Sequence, residues 1–314
     1  MDYRADSELI LHERHLNNLL KDLSKLIPLF ETNTINDIFV YSNGNVQVKD
    51  FKKGTYNTDI ILSLSDRMRI INSLSSVSNT PIDKWVRPTL ESIIPKYNIR
   101  TTAIIDPWLQ SPQIVFRRPP EQIYSLEEYL LEGRISKELY DKIVSHIEKR
   151  SNIVVSGSTG SGKTTLTNAC IKKMLDFTPE ERIYIVEDTP EIQCSSPNKI
   201  QLYIRKEQAV SAIQTALRFS PKRIIFGELR SPEVAVELLQ AWNTGHPGNV
   251  TTIHADNAAS TIPRIEGLLR QIITGYLPDL SETIQLIVHL TFKSDFGPVV
   301  DEALTVKEIQ EAKP

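Results

Sequence analysis

Asn152-Ile-Val-Val-Ser-Gly157-Ser-Thr-Gly-Ser-Gly162-Lys163-Thr164 carries the strongest structural signal in this chain of 314 residues. Its apolar first part indicates a buried β-strand, and the rest fits the pattern G-x-x-x-x-G-K-[ST]. Glycines let successive backbone N–H groups converge on phosphate oxygens, at the N-terminus of a helix whose dipole favours anions. A glycine-rich turn could match by chance, but the preceding strand and the following helical run Thr165-Leu-Thr-Asn-Ala are the context that the motif requires. The sequence therefore predicts a nucleotide-binding P-loop.

The residues of this loop have different expected roles. Lys163 is expected to reach the β- and γ-phosphates of the nucleotide, and the hydroxyl of Thr164 to bind Mg²⁺. The predicted nucleotide-binding residues of the loop are Gly157, Ser158, Thr159, Gly160, Ser161, Gly162, Lys163, Thr164 and Thr165. ATP and Mg²⁺ are therefore the cofactors that the motif predicts.

The sequence on either side of the loop indicates an α/β domain. Apolar runs at 182–187, 223–228 and 250–254 alternate with segments of helical periodicity. Such alternation is typical of βαβ units, in which a mostly parallel sheet is covered by helices on both faces. The P-loop would then follow one strand of a parallel sheet.

A smaller α+β domain is predicted before this region. Apolar residues of 16–27 recur at helical spacing, Asn43-Gly44 lies between alternating apolar residues as in a β-hairpin, and a helix is expected around 66–77. The consecutive residues Pro119-Pro120 favour a stiff, extended linker. We therefore expect an N-terminal domain over 1–118, a linker over 119–124 and the P-loop domain over 125–314.

The overall composition narrows the class of protein. Thirty-six basic and 39 acidic residues give a formal net charge of −3, without the strong basic excess of a dedicated nucleic-acid binder, so sequence-specific nucleic-acid binding is not expected. No apolar run approaches the roughly 18 residues of a membrane span, and the N-terminus does not lead into a signal-peptide core. Two cysteines cannot form a disulfide framework. These features favour a soluble, cytosolic protein of two domains.

Acidic residues follow two of the predicted strands. Glu187 and Asp188 come at the carboxyl end of one strand, where ligands bind in open α/β sheets, and they could hold the Mg²⁺ shell or polarise water. A solvated turn with capping acids is the alternative. After the next strand, Gly227 stands where many P-loop proteins carry a Mg²⁺-binding aspartate, which leaves Glu228 as a candidate base for the attacking water. Glu228 could instead form an ion pair with Arg230.

Two histidines lie close together in the sequence, His246 and His254. Zinc binding is not expected, because neither cysteine lies at ligand spacing from them. A buried histidine with ordinary hydrogen bonds is the default for each position. Because both follow the P-loop and two strands that end in acidic residues, His254, and with it His246, is a candidate sensor of the γ-phosphate or of a neighbouring subunit.

The order of these motifs resembles that of the traffic ATPases of secretion and type IV pilus systems, and most of all the conjugal-transfer, TrbB-like branch of the type IV secretion ATPases. The resemblance is carried by the P-loop with its Thr-Asn-Ala continuation, by Glu187-Asp-Thr-Pro-Glu-Ile-Gln-Cys194, and by Ala241-Trp-Asn-Thr-Gly-His-Pro-Gly248 with Thr252-Ile-His-Ala-Asp256. It implies a RecA-like P-loop ATPase domain with a mostly parallel sheet, preceded by a smaller α+β domain. In the family, arginines spaced like Arg100 and Arg117 reach the nucleotide phosphates.

The resemblance also implies a function and a set of site residues. The expected activity is ATP hydrolysis that powers conjugal DNA transfer or pilus assembly, by a homohexameric ring at the cytoplasmic face of the inner membrane, in peripheral membrane contact and docked on type IV secretion components. The expected catalytic residues are Glu228, Glu187, Lys163 and His254. Beyond the loop, Arg117, Arg100, Arg230 and His246 are expected to contact the nucleotide, while Thr164 and Glu187 would bind the metal.

Three other interpretations stay open at this point. A type IV pilus or type II secretion ATPase would share the chemistry, although the Ala241–Gly248 segment and the lack of a CxxC…CxxC module disfavour it. A RecA-like DNA motor is a different class, against which the near-neutral charge balance argues weakly. A nucleotide-gated assembly factor would bind ATP without hydrolysing it, although the acids Glu187 and Glu228 argue against this.

Overall fold

A computed structural model of the protein describes residues 3–50, 53–106, 111–118, 123–293 and 297–312. The chain divides into two compact units, Met1–Glu121 and Gln122–Pro314. The linker over 119–124 stays a prediction, because residues 119–122 lie outside the described ranges. Each unit is described by itself below.

The first unit is built on one antiparallel sheet of six strands, in the order β3-β2-β1-β6-β5-β4. The strands are β1 (Ile35–Val40), β2 (Asn45–Asp50), β3 (Gly54–Ile61), β4 (Thr89–Ile94), β5 (Ile99–Ile104) and β6 (Gln113–Arg117). The helices are α1 (Tyr3–Asp22), α2 (Ile27–Phe30) and α3 (Leu64–Val77). Buried residues alternate with more exposed ones along the strands, so one face of the sheet is buried and the other carries polar and half-buried residues.

Local sequence explains the turns of this unit and one difference from prediction. Gly44 takes a φ of +87° in the β1–β2 turn, as the Asn-Gly signal requires. Ser63 and Asp66 form a capping box that begins α3. The periodicity over 16–27 predicts a single helix, but the structure has two, because α1 ends at Asp22. Pro28 lies in the first turn of α2, where a missing N–H is tolerated.

The second unit contains a seven-stranded sheet in the order β13-β12-β7-β11-β10-β8-β9, in which only the β12–β13 pair is antiparallel. Its strands are β7 (Ile153–Gly157), β8 (Ile183–Glu187), β9 (Lys199–Tyr203), β10 (Arg223–Phe226), β11 (Val250–Ile253), β12 (Leu286–Lys293) and β13 (Gly297–Thr305). Its helices are α4 (Leu126–Leu131), α5 (Lys137–Glu148), α6 (Lys163–Phe177), α7 (Ala209–Ala216), α8 (Pro232–Asn243), α9 (Ala258–Leu269), α10 (Leu280–Thr283) and α11 (Val306–Glu311). Two short 3₁₀ helices span Lys206–Gln208 and Leu217–Phe219.

Helices cover this parallel sheet on both faces. One apolar core contains residues of α7, α8 and α9, and a second core contains residues of α4, α5 and α6. The middle strands β7, β8, β10 and β11 are buried along their whole length, as strands covered on both faces must be. The predicted class, a mostly parallel α/β domain preceded by an antiparallel α+β region, is confirmed.

Candidate nucleotide-binding site

The P-loop lies at the carboxyl edge of the parallel sheet. β7 ends at Gly157, the loop follows, and α6 begins at Lys163 with Gly162 as its N-cap residue. Gly160 and Gly162 have φ values of +76° and +88°, which side chains with a β-carbon rarely adopt. The tip residues are exposed, so the free N–H groups at the start of a fifteen-residue helix are open to an anionic ligand.

Lys163 is largely buried at the base of this loop. Its Nζ donates to the carbonyl oxygens of Gly157 (3.0 Å) and Ser158 (2.8 Å), and it lies 3.2 Å from Nδ1 of His254. Burial lowers the pKa of the Lys163 ammonium group, and the negative charge of Glu228 offsets this only in part. An ammonium group has three N–H groups and no lone pair, so Nδ1 of His254 must accept the third hydrogen bond.

His254 also reaches the first of the predicted catalytic acids. Its Nε2 lies 2.9 Å from Oε1 of Glu228, an ion-pair distance, although the geometry of this contact falls short of a hydrogen bond. Because Nδ1 accepts from Lys163, the proton of a neutral imidazole is on Nε2 and faces the carboxylate. One histidine ring therefore links the P-loop lysine to Glu228.

Arg230 holds the other oxygen of Glu228. Its Nη2 lies 2.5 Å from Oε2 of Glu228, and its Nη1 lies 3.0 Å from Oδ2 of Asp188. Burial would raise the pKa of Glu228, but the hydrogen bond and charge of Arg230, with smaller contributions from His254 and Lys163, lower it below the ordinary value. Glu228 is therefore ionised at neutral pH, and the predicted Glu228–Arg230 ion pair is present within the same site.

Glu191 is the acid that reaches the threonine of the P-loop. The Oγ1 of Thr164 donates to Oε2 of Glu191 at 3.0 Å. The Nδ2 of Asn168 donates to the backbone carbonyl oxygen of Glu191 at 3.0 Å and so ties the same loop to α6. Sequence reasoning did not single out Glu191, although it lies four residues after Glu187 in the same acidic segment.

Glu187 makes its hydrogen bonds within the loop that follows β8 and with β9. Its side chain is buried, and Oε2 accepts from the backbone N–H groups of Glu191 and Ile192, both at 2.9 Å, while Oε1 accepts from Nε2 of Gln201 at 2.7 Å. Burial raises the pKa of Glu187 to about 7, against the opposing effect of these three hydrogen bonds. Both oxygens are thus used within the loop that carries Glu191. These contacts make Glu187 a support for the loop that carries Glu191. Its predicted roles as a metal ligand and as a catalytic acid stay predictions.

The packing around Gly227 explains why this strand end lacks an aspartate. A β-carbon built on Gly227 would come 3.1 Å from Cβ of Glu187, closer than most real side chains approach. Glu187 thus occupies the space that a side chain at Gly227 would need. Glu228, one residue later, is the acid that faces Lys163 through His254.

His246 lies at the opposite edge of the sheet. It comes four residues before β11 begins, whereas the P-loop follows the end of β7, and β11 is parallel to β7. Its Nδ1 lies 2.9 Å from the carbonyl oxygen of Pro221, and its own carbonyl oxygen accepts from Nδ2 of Asn249. The structure therefore does not bring His246 to the P-loop of its own chain, and its predicted contact with nucleotide stays a prediction.

Arg100 and Arg117 lie in the first unit, directly opposite each other on β5 and β6. Both point to the face of the sheet that the core leaves open, and Nε of Arg117 lies 3.7 Å from Oδ1 of Asp37. Two like charges in a cross-strand pair repel each other, so an anion placed beside them would be stabilised. Their contact with nucleotide stays a prediction.

The residues of the second unit fit ATP with Mg²⁺. Exposed backbone N–H groups and Lys163 suit a triphosphate, and the paired oxygens of Thr164 and Glu191 suit a hard divalent cation. Within the described ranges, no group of three or more His, Cys, Asp or Glu side chains could hold a metal ion by itself. Mg²⁺ binding here would therefore depend on phosphate oxygens as well. No helix in the same ranges is both long and apolar enough to cross a membrane.

Comparisons with known proteins agree with this geometry. The family described as "Type II/IV secretion system protein" matches residues 31–296. The chain is 30% identical over 304 residues to the conjugal transfer protein TrbB of Rhizobium radiobacter, across 96% of this chain and 93% of that protein. It is 29% identical over 252 residues to the type IV secretion system protein VirB11 of Bartonella henselae, across 67% of this chain and 69% of that protein.

Solved structures show the same fold. The pilus retraction motor PilT with bound ADP has a TM-score of 0.64 at 21% identity and covers 92% of this chain and 86% of its own. The ATPase DotB of Legionella pneumophila has a TM-score of 0.63 at 21% identity, with 91% and 81% covered. The family match extends over most of the sequence and includes every motif described above, so the chain belongs to the type II/IV secretion system protein family.

Proposed function

We propose that this protein hydrolyses ATP at the P-loop of its second unit and that this hydrolysis drives conjugal transfer. The observation that carries the proposal is the contact series from Lys163 through His254 to Glu228 at the carboxyl edge of the sheet. It puts a phosphate-binding cation and an ionised carboxylate on opposite sides of one imidazole ring. Family membership and the relatives named for conjugal transfer support the same function.

The chain's own residues then have distinct parts in the reaction. Lys163 stabilises negative charge on the terminal phosphates, and Glu228 accepts a proton from the attacking water. Arg230 keeps Glu228 ionised and oriented, and Thr164 with Glu191 supplies oxygen ligands for Mg²⁺. When bound, Mg²⁺ would neutralise phosphate charge. His254 positions Glu228 relative to Lys163.

Two variants test this assignment. Lys163→Ala should abolish ADP and ATP binding, because it removes the cation at the base of the loop. Glu228→Gln should bind ATP but hydrolyse it about 100-fold or more slowly, as expected for loss of a general base. Glu148→Gln, which removes an exposed carboxylate at the end of α5, serves as the control. Normal turnover by Glu228→Gln would overturn the assignment of Glu228 as the base.

The assembled form follows from the family resemblance. We infer a homohexameric ring in peripheral contact with the cytoplasmic face of the inner membrane, with type IV secretion components as its partners and with Arg100 and Arg117 contributing to the nucleotide site. ATP turnover per subunit should then rise steeply with protein concentration and saturate. A rate that is finite but independent of concentration would show a self-sufficient hydrolase and overturn the ring. A weaker affinity for ATP in Arg117→Ala would support the arginine assignment, and an unchanged affinity would contradict it.

A further inference from the structure

The order of strands indicates the direction in which a nucleotide would lie on this P-loop. Glu228 and His254 follow β10 and β11, which lie on one side of β7, and Glu191 follows β8 on the same side. Lys163 faces this cluster, so the terminal phosphate points toward it. The base is at the other end of the molecule. We therefore expect the base to leave the loop on the opposite side of β7, where β12 and β13 form an antiparallel pair.

The β12–β13 pair packs directly against the P-loop. A β-carbon built on Gly162 would come 2.9 Å from Cβ and 3.0 Å from Cγ of Pro298, so the proline ring lies against the glycine that caps α6. A β-carbon on Gly157 would come 2.5 Å from the carbonyl oxygen of Leu290. The absence of side chains at these two glycines thus lets both strands approach the loop closely. This side of the phosphate site has a fixed protein wall.

Phe292 lies next to Pro298 on the same wall. The two residues are cross-strand partners, and Phe292 is on the same face of β12 as Leu290, which packs in the core beside α6. Yet the side chain of Phe292 is 61% exposed, unlike that of Leu290, which is fully buried. A large aromatic ring is therefore presented to solvent one cross-strand spacing from the residue that touches Gly162.

We propose that Phe292 and Pro298 form the platform on which the nucleotide base stacks. This inference rests on the proposed function, because it requires ATP at the P-loop. The phenyl ring offers a flat apolar surface on the side where the base emerges, and Pro298 places that surface at a fixed position relative to the phosphate site. Stacking on an aromatic face needs no hydrogen-bonding groups on the protein. Phe292 therefore adds affinity for nucleosides without contributing to phosphate binding.

Two ligands separate base binding from phosphate binding in the full chain. ADP contains the base, whereas inorganic tripolyphosphate carries only the phosphate groups. Phe292→Ala should weaken ADP binding about tenfold or more, as loss of base–aromatic stacking does, and should leave tripolyphosphate binding unchanged. Phe292→Trp should restore ADP binding. Tyr276→Ala, which removes a fully exposed aromatic ring outside the site, is the matched control. Calorimetric titration measures all these affinities.

The other outcomes have separate meanings. Equal weakening of ADP and tripolyphosphate binding in Phe292→Ala would show that the ring supports the loop and would overturn the base platform. Unchanged ADP binding would also overturn it, and a loss of oligomers in the same variant would then assign the exposed ring to packing against another copy. If wild type does not bind ADP, or if Lys163→Ala binds ADP as wild type does, the proposed function itself fails. The two failures are therefore distinguishable.

Discussion

Replacing Glu187 by glutamine should remove a pH dependence from the stability of the second unit. Burial raises the pKa of this carboxyl group from an ordinary value of 4.5 to about 7 in the folded protein, against three opposing hydrogen bonds. The folded protein therefore holds the proton more tightly than the unfolded chain does. The stability that this provides is complete below about pH 4.5 and is lost as the pH rises through about 7.

The size of the effect follows from the same two pKa values. The interval from 4.5 to about 7, at about 1.4 kcal/mol per pH unit, corresponds to about 3 to 4 kcal/mol in the free energy of unfolding. Little is lost to solvent screening, because Glu187 is only 2% exposed. An amide does not titrate, so Glu187→Gln has no such pH dependence from this position. Glu187→Gln should be less stable than wild type at low pH, since it replaces one of the two carboxyl oxygens by an NH2 group, which cannot accept a hydrogen bond from the surrounding donors.

Urea-induced unfolding from about pH 5 to about pH 8 measures this difference. The free energy of unfolding of wild type minus that of Glu187→Gln should fall by about 3 kcal/mol across the range. Glu148→Gln should show no comparable change relative to wild type. A wild-type-minus-variant difference that is constant with pH would refute the reasoning, because the carboxyl group would then bind its proton equally in the folded and unfolded states.

Three further changes test the site and its supports. Glu191→Gln should raise the Mg²⁺ concentration that gives half-maximal ATP turnover at least tenfold, because a metal-facing carboxylate is lost; an unchanged Mg²⁺ requirement would contradict this role. Gly162→Ala should lower the free energy of unfolding by about 2 kcal/mol or more, because a β-carbon meets both a positive φ and a proline ring, whereas Gly160→Ala has a positive φ but open space and should cost less. Asn249→Ala should destabilise the unit by about 3 kcal/mol, because it leaves the buried backbone N–H group of Ile224 without its acceptor and removes a buried donor to Asn152, whereas Asn243→Ala at an exposed position should be near neutral in thermal unfolding.

Much of the fold could be predicted because its signals are local. The strand, glycine loop and helix around Lys163 are contiguous in sequence. The Asn43-Gly44 turn specifies its hairpin locally, because Gly44 readily adopts the positive φ that the turn requires. The antiparallel strand β13 was not predicted, since its pairing with β12 depends on contacts made by the folded sheet. The end of α1 at Asp22 was misjudged for a related reason: apolar periodicity continues through residues that leave one helix and enter another.

The site was less predictable than the fold, because spacing along a strand end does not say which way a side chain turns. Glu187 and Glu191 share one acidic segment, and sequence alone favoured the first, which ends the strand. Only the folded loop shows that Glu187 turns inward to two backbone N–H groups and that Glu191 turns to Thr164. The separation of His246 from His254 was also not predictable, because the seven residues between them include the full length of β11.

His254 connects Lys163 with Glu228, because its ring lies between the two side chains. Each of the three contacts of Lys163 can be exchanged for a phosphate oxygen, since each is a hydrogen bond to a neutral acceptor. One of these acceptors is Nδ1 of the ring whose Nε2 faces Glu228. A displacement of Lys163 toward phosphate would therefore change the electrostatic surroundings of Glu228, the carboxylate that we propose as the base. A rigid aromatic ring with one acceptor and one donor transmits this change directly, whereas a single hydroxyl group is too short to span both partners.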